Sequence, residues 1–254
     1  MAPDQQIKSE RRARPREDAD VEASSARYAL RFSGPVGRWF VEFQTRLTLE
    51  CLVGLPAGAT VLDVGGGHAQ VAPPLSEAGY ALTVVGSDAA CGEQLRPWTS
   101  TGRLKFEVAD LQELPYEDKS FDAVICYRLL AHSVDWMHLV GELCRVARQR
   151  VVVDYPSRRS VNVIADGLFD LKRSIEGVTT RRFALYGRRQ VGEAFERAGF
   201  SVATEHPQFV LPMVLYRLVG SVRFARAAEY TPRLLGLTRR LGSPIIARAD
   251  RRVG

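Results

Sequence analysis

The sequence predicts an open α/β fold built on a mainly parallel sheet. Three observations carry that expectation. The β-favouring run Thr60-Val61-Leu62-Asp63-Val64 runs straight into a three-glycine turn, Gly65-Gly66-Gly67, and then into a helix-like stretch from Ala69 to Ala78 that closes at Gly79. Further apolar, strand-like runs recur at 81–86, 104–108, 120–126 and 151–155, with helical or turn-rich sequence between them. At 254 residues the chain is long enough to bury one large core around such a sheet.

Along the chain, residues 1–20 are charged and poor in apolar side chains, and read as a disordered tail ahead of a single domain over 21–254. Within that domain, 21–54 reads as a helical cover. A short helix over 21–30 is broken by Phe32-Ser33-Gly34-Pro35, and a second over 36–52 carries Trp39, Phe40, Phe43 and Leu47 at helical spacing. Residues 157–186, with an apolar face of Val161, Ile164, Leu168, Phe169, Leu171 and Ile175, read as an insert over the pocket. A helix over 187–198, a strand from Phe200 and a final edge strand over 244–248 complete the chain.

The glycine turn narrows the ligand. The form G-x-G-x-x-G of dinucleotide sites lacks its last glycine here, where Gln70 stands, and no G-K-[ST] follows, which excludes a P-loop. An acid, one residue and then G-x-G remain: Asp63, Gly65, Gly66 and Gly67. Asp88 ends the second strand, about twenty residues on, where an acid accepts hydrogen bonds from ribose hydroxyls, and Ala89 beside it is expected to meet the cofactor too; the alternative is a helix N-cap at Asp88.

This turn resembles the first motif of class I S-adenosylmethionine (SAM)-dependent methyltransferases. The stretch from Ala109 to Val124, A-D-L-x-x-L-P-Y-x-D-x-S-F-D-A-V, is similar to the ubiquinone/menaquinone-biosynthesis branch of that family. The resemblance implies a doubly wound, Rossmann-like mixed sheet of seven strands with an antiparallel C-terminal edge strand and helices on both faces. It also implies SAM as cofactor, with Asp110 and Leu111 at the adenine. It covers residues 55–155 well and 187–249 loosely. The family's L-K-P-G-G turn is replaced by Arg148-Gln149-Arg150. Past the central strand, His132 and Asp135 match the family pattern. His132 is the candidate general base, with helix-entrance packing as its alternative role. Tyr127, Asp154 and Tyr155 stand at the strand ends where ligands bind, and Tyr127 is expected to meet the cofactor through its main chain if not its ring.

Four scattered cysteines without a C-x-x-C pair suggest neither a zinc site nor disulfides, and no metal is expected. No signal peptide or membrane-spanning run is read, so a cytoplasmic protein is expected, with a peripheral membrane contact as an added expectation. Residues 1–144 hold 14 Lys/Arg and 20 Asp/Glu, net −6, while 145–254 hold 21 and 9, net +12. The basic half suits an anionic surface, phospholipid above all, or is only a solvated face. A nucleic-acid substrate is disfavoured, because Cys126-Tyr127-Arg128-Leu129 replaces the [DNS]-P-P-[YFW] element of base methylation. The expected partner is a small, apolar or lipid-like acceptor; the oligomeric state is not legible. A non-catalytic SAM-binding module is the alternative from another class, and a dehydrogenase is disfavoured by Gln70.

Overall fold

The computed structural model describes residues 17–160 and 184–252. The seven strands are β1 (Thr60–Val64), β2 (Ala81–Gly86), β3 (Lys105–Val108), β4 (Phe121–Cys126), β5 (Ala147–Tyr155), β6 (Phe200–Phe209) and β7 (Ser243–Arg251). They form one sheet in the order β3-β2-β1-β4-β5-β7-β6. Strands β1 to β5 are parallel, and β7 runs antiparallel to both its neighbours. The C-terminal strand is thus the antiparallel one, but it is inserted between β5 and β6, so β6 forms that edge rather than β7. The sequence explains the insertion. Strand β7 alternates on a wholly buried run, Ile245-Ile246-Ala247, which an edge would expose, whereas β6 carries Thr204, Glu205 and His206.

Chain order reverses between β1 and β4, the crevice where open α/β sheets bind ligands. Alternate side chains of the parallel strands feed two cores. Leu62, Val64, Val124, Val151 and Val153 pack with Leu139, Leu143 and Phe195 of helices α6 (Trp136–Val146) and α7 (Arg188–Arg197). Val61, Val84, Ile125 and Val152 pack with Leu47, Leu52 and Leu75 of α3 (Gly34–Leu52) and α4 (Ala72–Glu77). A third, aromatic cluster joins α3 to the chain end: Trp39 and Phe40 meet Phe209, and Tyr216 and Ala225 of helices α8 (Met213–Val219) and α9 (Val222–Leu234).

Two elements depart from the sequence reading for identifiable reasons. Helix α4 starts at Ala72 instead of Ala69, because Ala69 is left-handed (φ 53°) and Pro73-Pro74 fit only a first turn. Strand β5 begins at Ala147, four residues early, so α6 runs into it without a glycine cap. Arginines satisfy the carbonyls instead: Arg251 Nη2 donates to Cys144 O (2.7 Å) and Ala147 O (2.5 Å).

Polar clasps hold the amino end of the sheet. Asp122 accepts from Thr60 N (2.9 Å), Thr60 Oγ1 (3.0 Å) and Arg148 Nη1 (2.5 Å), joining β1, β4 and β5. Burial alone would raise the Asp122 pKa; these donors hold it below the usual carboxylate range. Arg150 donates to Cys51 O (2.7 Å), Val53 O (2.9 Å) and Asp250 (3.0 Å), fastening the end of α3 to β5 and β7. Replacing Arg150 by Met leaves two helix-end carbonyls without donors. Urea unfolding should show a loss of about 2–4 kcal/mol, and a loss under ~0.5 kcal/mol would refute the clasp.

Candidate functional site

At the carboxyl end of β1 the chain must turn under its own side chain. Gly65 adopts φ 75° and donates its N–H to Val85 O (2.8 Å). A Cβ at Gly66 would strike the Asp63 carboxylate, and one at Gly67 would strike the Cys91 carbonyl. The glycines are therefore required by close approach. Asp63 is fully buried beneath them, and its Oδ2 has no hydrogen-bond partner. Burial pushes the Asp63 pKa up to about 7, against the opposing pull of the Arg128 charge. Buried His68 is driven the other way, well below its usual pKa, first by burial and then by Arg128.

Asp88 and Asp110 follow the paired ends of β2 and β3, where Gly86 lies opposite Val108, so both stand on one rim. Asp88 is exposed and its Oδ1 accepts from Ala90 N (2.8 Å), the N-cap arrangement that the sequence left open, with Ala89 starting the 3₁₀ turn Ala89–Leu95. Asp110 Oδ1 accepts from Gln112 N (2.9 Å), and Leu111 is buried in the core beside it. Tyr127 goes elsewhere. Its ring lies in the core under α3, with its hydroxyl 2.7 Å from Thr48 Oγ1, so only its main chain is left at the rim. Strand alternation dictates this: Ile125 and Tyr127 share a face. His132, half-buried, ends the 3₁₀ turn Leu130–His132 on the same rim, and Asp135 caps α6 through His138 N (3.1 Å).

Three residues outside the expected site, Arg128, Asp20 and Glu17, join it. Arg128 is left-handed (φ 60°), and its N–H is held by Asp154 Oδ1 (2.6 Å). Its Nη1 donates to Gln70 Oε1 (2.6 Å), and its guanidinium lies 5.1 Å from the Phe32 ring centroid. Its Nε and Nη2 are buried without partners. From the N-terminal side, Asp20 accepts from Ser87 N (2.7 Å), Ser87 Oγ (2.5 Å) and Cys91 Sγ (3.3 Å). Glu17 accepts from Val134 N (3.0 Å), Ala19 N (3.1 Å) and Gln112 Nε2 (3.3 Å). Both carboxylates are buried, so residues 17–20 are not the disordered tail read from composition; residues 1–16 lie outside the described residues. This segment continues into helices α1 (Ala19–Ala23) and α2 (Ala26–Ala29), and its Asp20 and Ser24 side chains lie against Gly65 and Gly67. The other expected cover, 157–186, falls largely outside the described residues. Its two ends meet beside the rim: Tyr186 N donates to Pro156 O (3.0 Å), and Tyr186 Oη to Leu130 O (2.8 Å). Sequence spacing had no motif for Arg128, Glu17 or Asp20. The one available signal was an arginine two residues past the central strand, at a ligand-binding edge.

The arrangement fits an adenosyl cofactor: a glycine turn that no Cβ could enter, an acid at each of three strand ends, and orphaned buried polar atoms on Asp63 and Arg128. Comparison with known proteins agrees. Residues 62–153 match the model of the family described as "Methyltransferase domain". The chain is 33% identical over 115 residues to 27-O-demethylrifamycin SV methyltransferase of Amycolatopsis mediterranei (strain S699); the match spans 42% of this chain and 42% of that relative, less than half of either. In fold it is similar to magnesium protoporphyrin IX methyltransferase from Synechocystis PCC 6803 with bound SAH (TM-score 0.57, 19% identity, 84% of each chain). It is also similar to geranyl diphosphate C-methyltransferase from Streptomyces coelicolor A3(2) (TM-score 0.60, 15% identity, 82% of this chain and 75% of that one).

The Asp63 carboxyl gives a testable pH dependence. Unfolded, it titrates near ~3.9; folded, near about 7. Between these values the folded chain keeps a proton that the unfolded chain has lost, so this group's contribution to stability falls as pH rises and levels off above about 7. Asp63→Asn should therefore raise the urea midpoint at pH 8 and raise it less at pH 5. An identical change at both pH values would refute the buried, ionisable assignment.

Proposed function

We propose that the whole protein transfers a methyl group from SAM to a small, apolar or lipid-like acceptor. The observation that carries this is the conjunction at one sheet rim of the glycine turn over Asp63 with Asp88, Asp110 and Leu111. When bound, SAM would supply an activated methyl for in-line displacement, and the chain's task is alignment and exclusion of water. Gly65 to Gly67 bring main chain against the cofactor, Asp88 takes the ribose by exchanging its bond to Ala90 N, and Asp110 with the Leu111 main chain takes the adenine. Phe32 and the segment from Glu17 close the site from above. His132 takes the acceptor's proton where the acceptor is a phenol, enol or carbon acid.

A surface supports the acceptor class. On α8, on α9 and its C-cap, and on α10 (Leu237–Leu241), Leu218, Tyr230, Leu234, Leu235 and Leu237 are exposed. Residues 209–242 carry six arginines, all exposed, and a single acid, Glu229, which is buried on Tyr216 and the Val210 and Leu211 N–H groups. An apolar face rimmed only by cations suits an anionic membrane, where a lipidic acceptor would reside. No helix among the described residues is long and apolar enough to cross a membrane.

Isothermal titration should give binding of SAM and S-adenosylhomocysteine and none of NADH; binding of NADH alone would refute the reading. His132→Gln should lower kcat about 10²- to 10⁴-fold while leaving S-adenosylhomocysteine affinity within ~2-fold, and an unchanged kcat would remove the base. The protein should float with phosphatidylglycerol vesicles and not with neutral ones. Recovery of all of it in the unbound fraction would end the membrane contact.

A further inference from the structure

Away from the rim, helices α3 and α9 turn stripes of side chains toward each other. On α3 the stripe is Trp39, Phe43 and Arg46, spaced i, i+4 and i+7. On α9 it is Arg226, Glu229, Tyr230 and Arg233, spaced i, i+3, i+4 and i+7. Between the stripes lies a cavity of about 390 Å³. Glu229 is only 1% exposed. Its Oε1 is fully used, accepting from Val210 N (2.8 Å), Leu211 N (3.2 Å) and Tyr216 Oη, while its Oε2 is buried without a partner.

Three arginines line this cavity, and among the described residues none of them pairs with Glu229. Arg46 and Arg233 rest on one ring, 5.0 and 4.9 Å from the Phe43 centroid. Arg46 has only an exposed ion pair to Glu50 (3.9 Å), and Arg233 a long hydrogen bond to Gln208 O (3.5 Å). Arg226 makes no hydrogen bond or ion pair among the described residues. Three guanidinium groups on one cavity suit an anion with more oxygens than a single carboxylate offers, which is a phosphate. A buried carboxylate oxygen without a donor suits a hydroxyl. One ligand class carries both groups: a phosphate ester of a polyol. An adjoining hollow of about 330 Å³ shares Phe43 and Arg233 and adds a second orphan, the buried Thr238 Oγ1 of α10, so there is room and a partner for a second hydroxyl. The other acid lining the first cavity, Glu42, is exposed, where solvent screens it.

We propose that the cavity between α3 and α9 seats the headgroup of a polyol phospholipid, with its phosphate on Arg46, Arg226 and Arg233 and a headgroup hydroxyl donating to Glu229 Oε2. The chemistry recognised is a polyol phosphodiester. Leu234, Leu235 and Leu237 are exposed directly after the α9 stripe, which favours a lipid over a free phosphate ester as its source. The seat lies outside the rim and goes beyond the methyl-transfer reading; it rests on the proposed membrane contact for its source and gives that contact a specific headgroup.

The test uses the intact chain and two vesicles of equal charge. Phosphatidylglycerol has headgroup hydroxyls, and phosphatidylmethanol has none. The protein should bind phosphatidylglycerol vesicles about 10-fold more tightly. Glu229→Gln keeps an acceptor for Val210, Leu211 and Tyr216, and should remove that preference while leaving phosphatidylmethanol binding within ~2-fold. Arg226→Gln, at an exposed position with no partner to lose, should weaken binding to both about 5-fold. Equal binding of the two lipids by the intact chain overturns the seat, whether or not the variants fold, and leaves the membrane contact and the methyltransferase reading standing. So does a preference that survives Glu229→Gln, or an Arg226→Gln variant that binds like the intact chain. Soluble glycerophosphoglycerol binding as tightly as the vesicles would assign the cavity to a free phosphate ester and overturn the lipid source. Binding to neither vesicle overturns the seat together with the membrane contact, and S-adenosylhomocysteine titration then decides the methyltransferase reading separately.

Discussion

The molecule is organised around a desolvated carboxylate. Asp63 stands at the end of the central parallel strands, under a turn in which no side chain fits, with Arg128 across the seam. Holding a carboxylate there costs stability, because burial penalises its charged form and pushes its pKa up. The surrounding structure is arranged to tolerate that cost: Gly66 and Gly67 give it room, Asp154 and Gln70 keep the arginine in place, Phe32 lies against its guanidinium, and Asp20 holds the Ser87 N–H at the same rim.

The two ends of the sheet divide the work. At the amino end, Asp122, Arg150 and Arg251 spend their donors and acceptors on the chain itself, tying strands and helix ends together. At the carboxyl end, polar atoms are left over. Such a division is the usual signature of a site whose local stability is given up for binding. The cover repeats the pattern on a smaller scale. Glu17 and Asp20 hold main-chain N–H groups at the rim, so the segment over the site is fixed by a few hydrogen bonds that a ligand can exchange for its own.

Much of this was legible before the structure. Strand β2 fell at Ala81–Gly86 and helix α7 within a residue at each end, because both are bounded by glycine and have clean periodicity. The glycine turn was legible because close approach allows one residue type. Less legible were features set by tertiary contact. The order β5-β7-β6 cannot be read from chain order, since it depends on which antiparallel strand is apolar enough to be enclosed. The Tyr127 ring was lost to the core because alternation along β4 outweighs proximity to a ligand-binding edge. Arg128 carries no motif, and its role follows from a left-handed backbone angle that arginine seldom adopts. Glu17 and Asp20 sit in sequence whose composition suggests disorder, and only their partners on distant loops order them.

The central claim is that an adenosyl ligand settles at the carboxyl rim between the glycine turn and the stretch after β4. Amide hydrogen exchange with and without S-adenosylhomocysteine tests it most directly. Slower exchange is expected in peptides covering 63–70, 86–91 and 127–134, with no change in β6 or at the Asp122 end of the sheet. Unchanged exchange in all three rim peptides at a saturating ligand concentration would contradict the account.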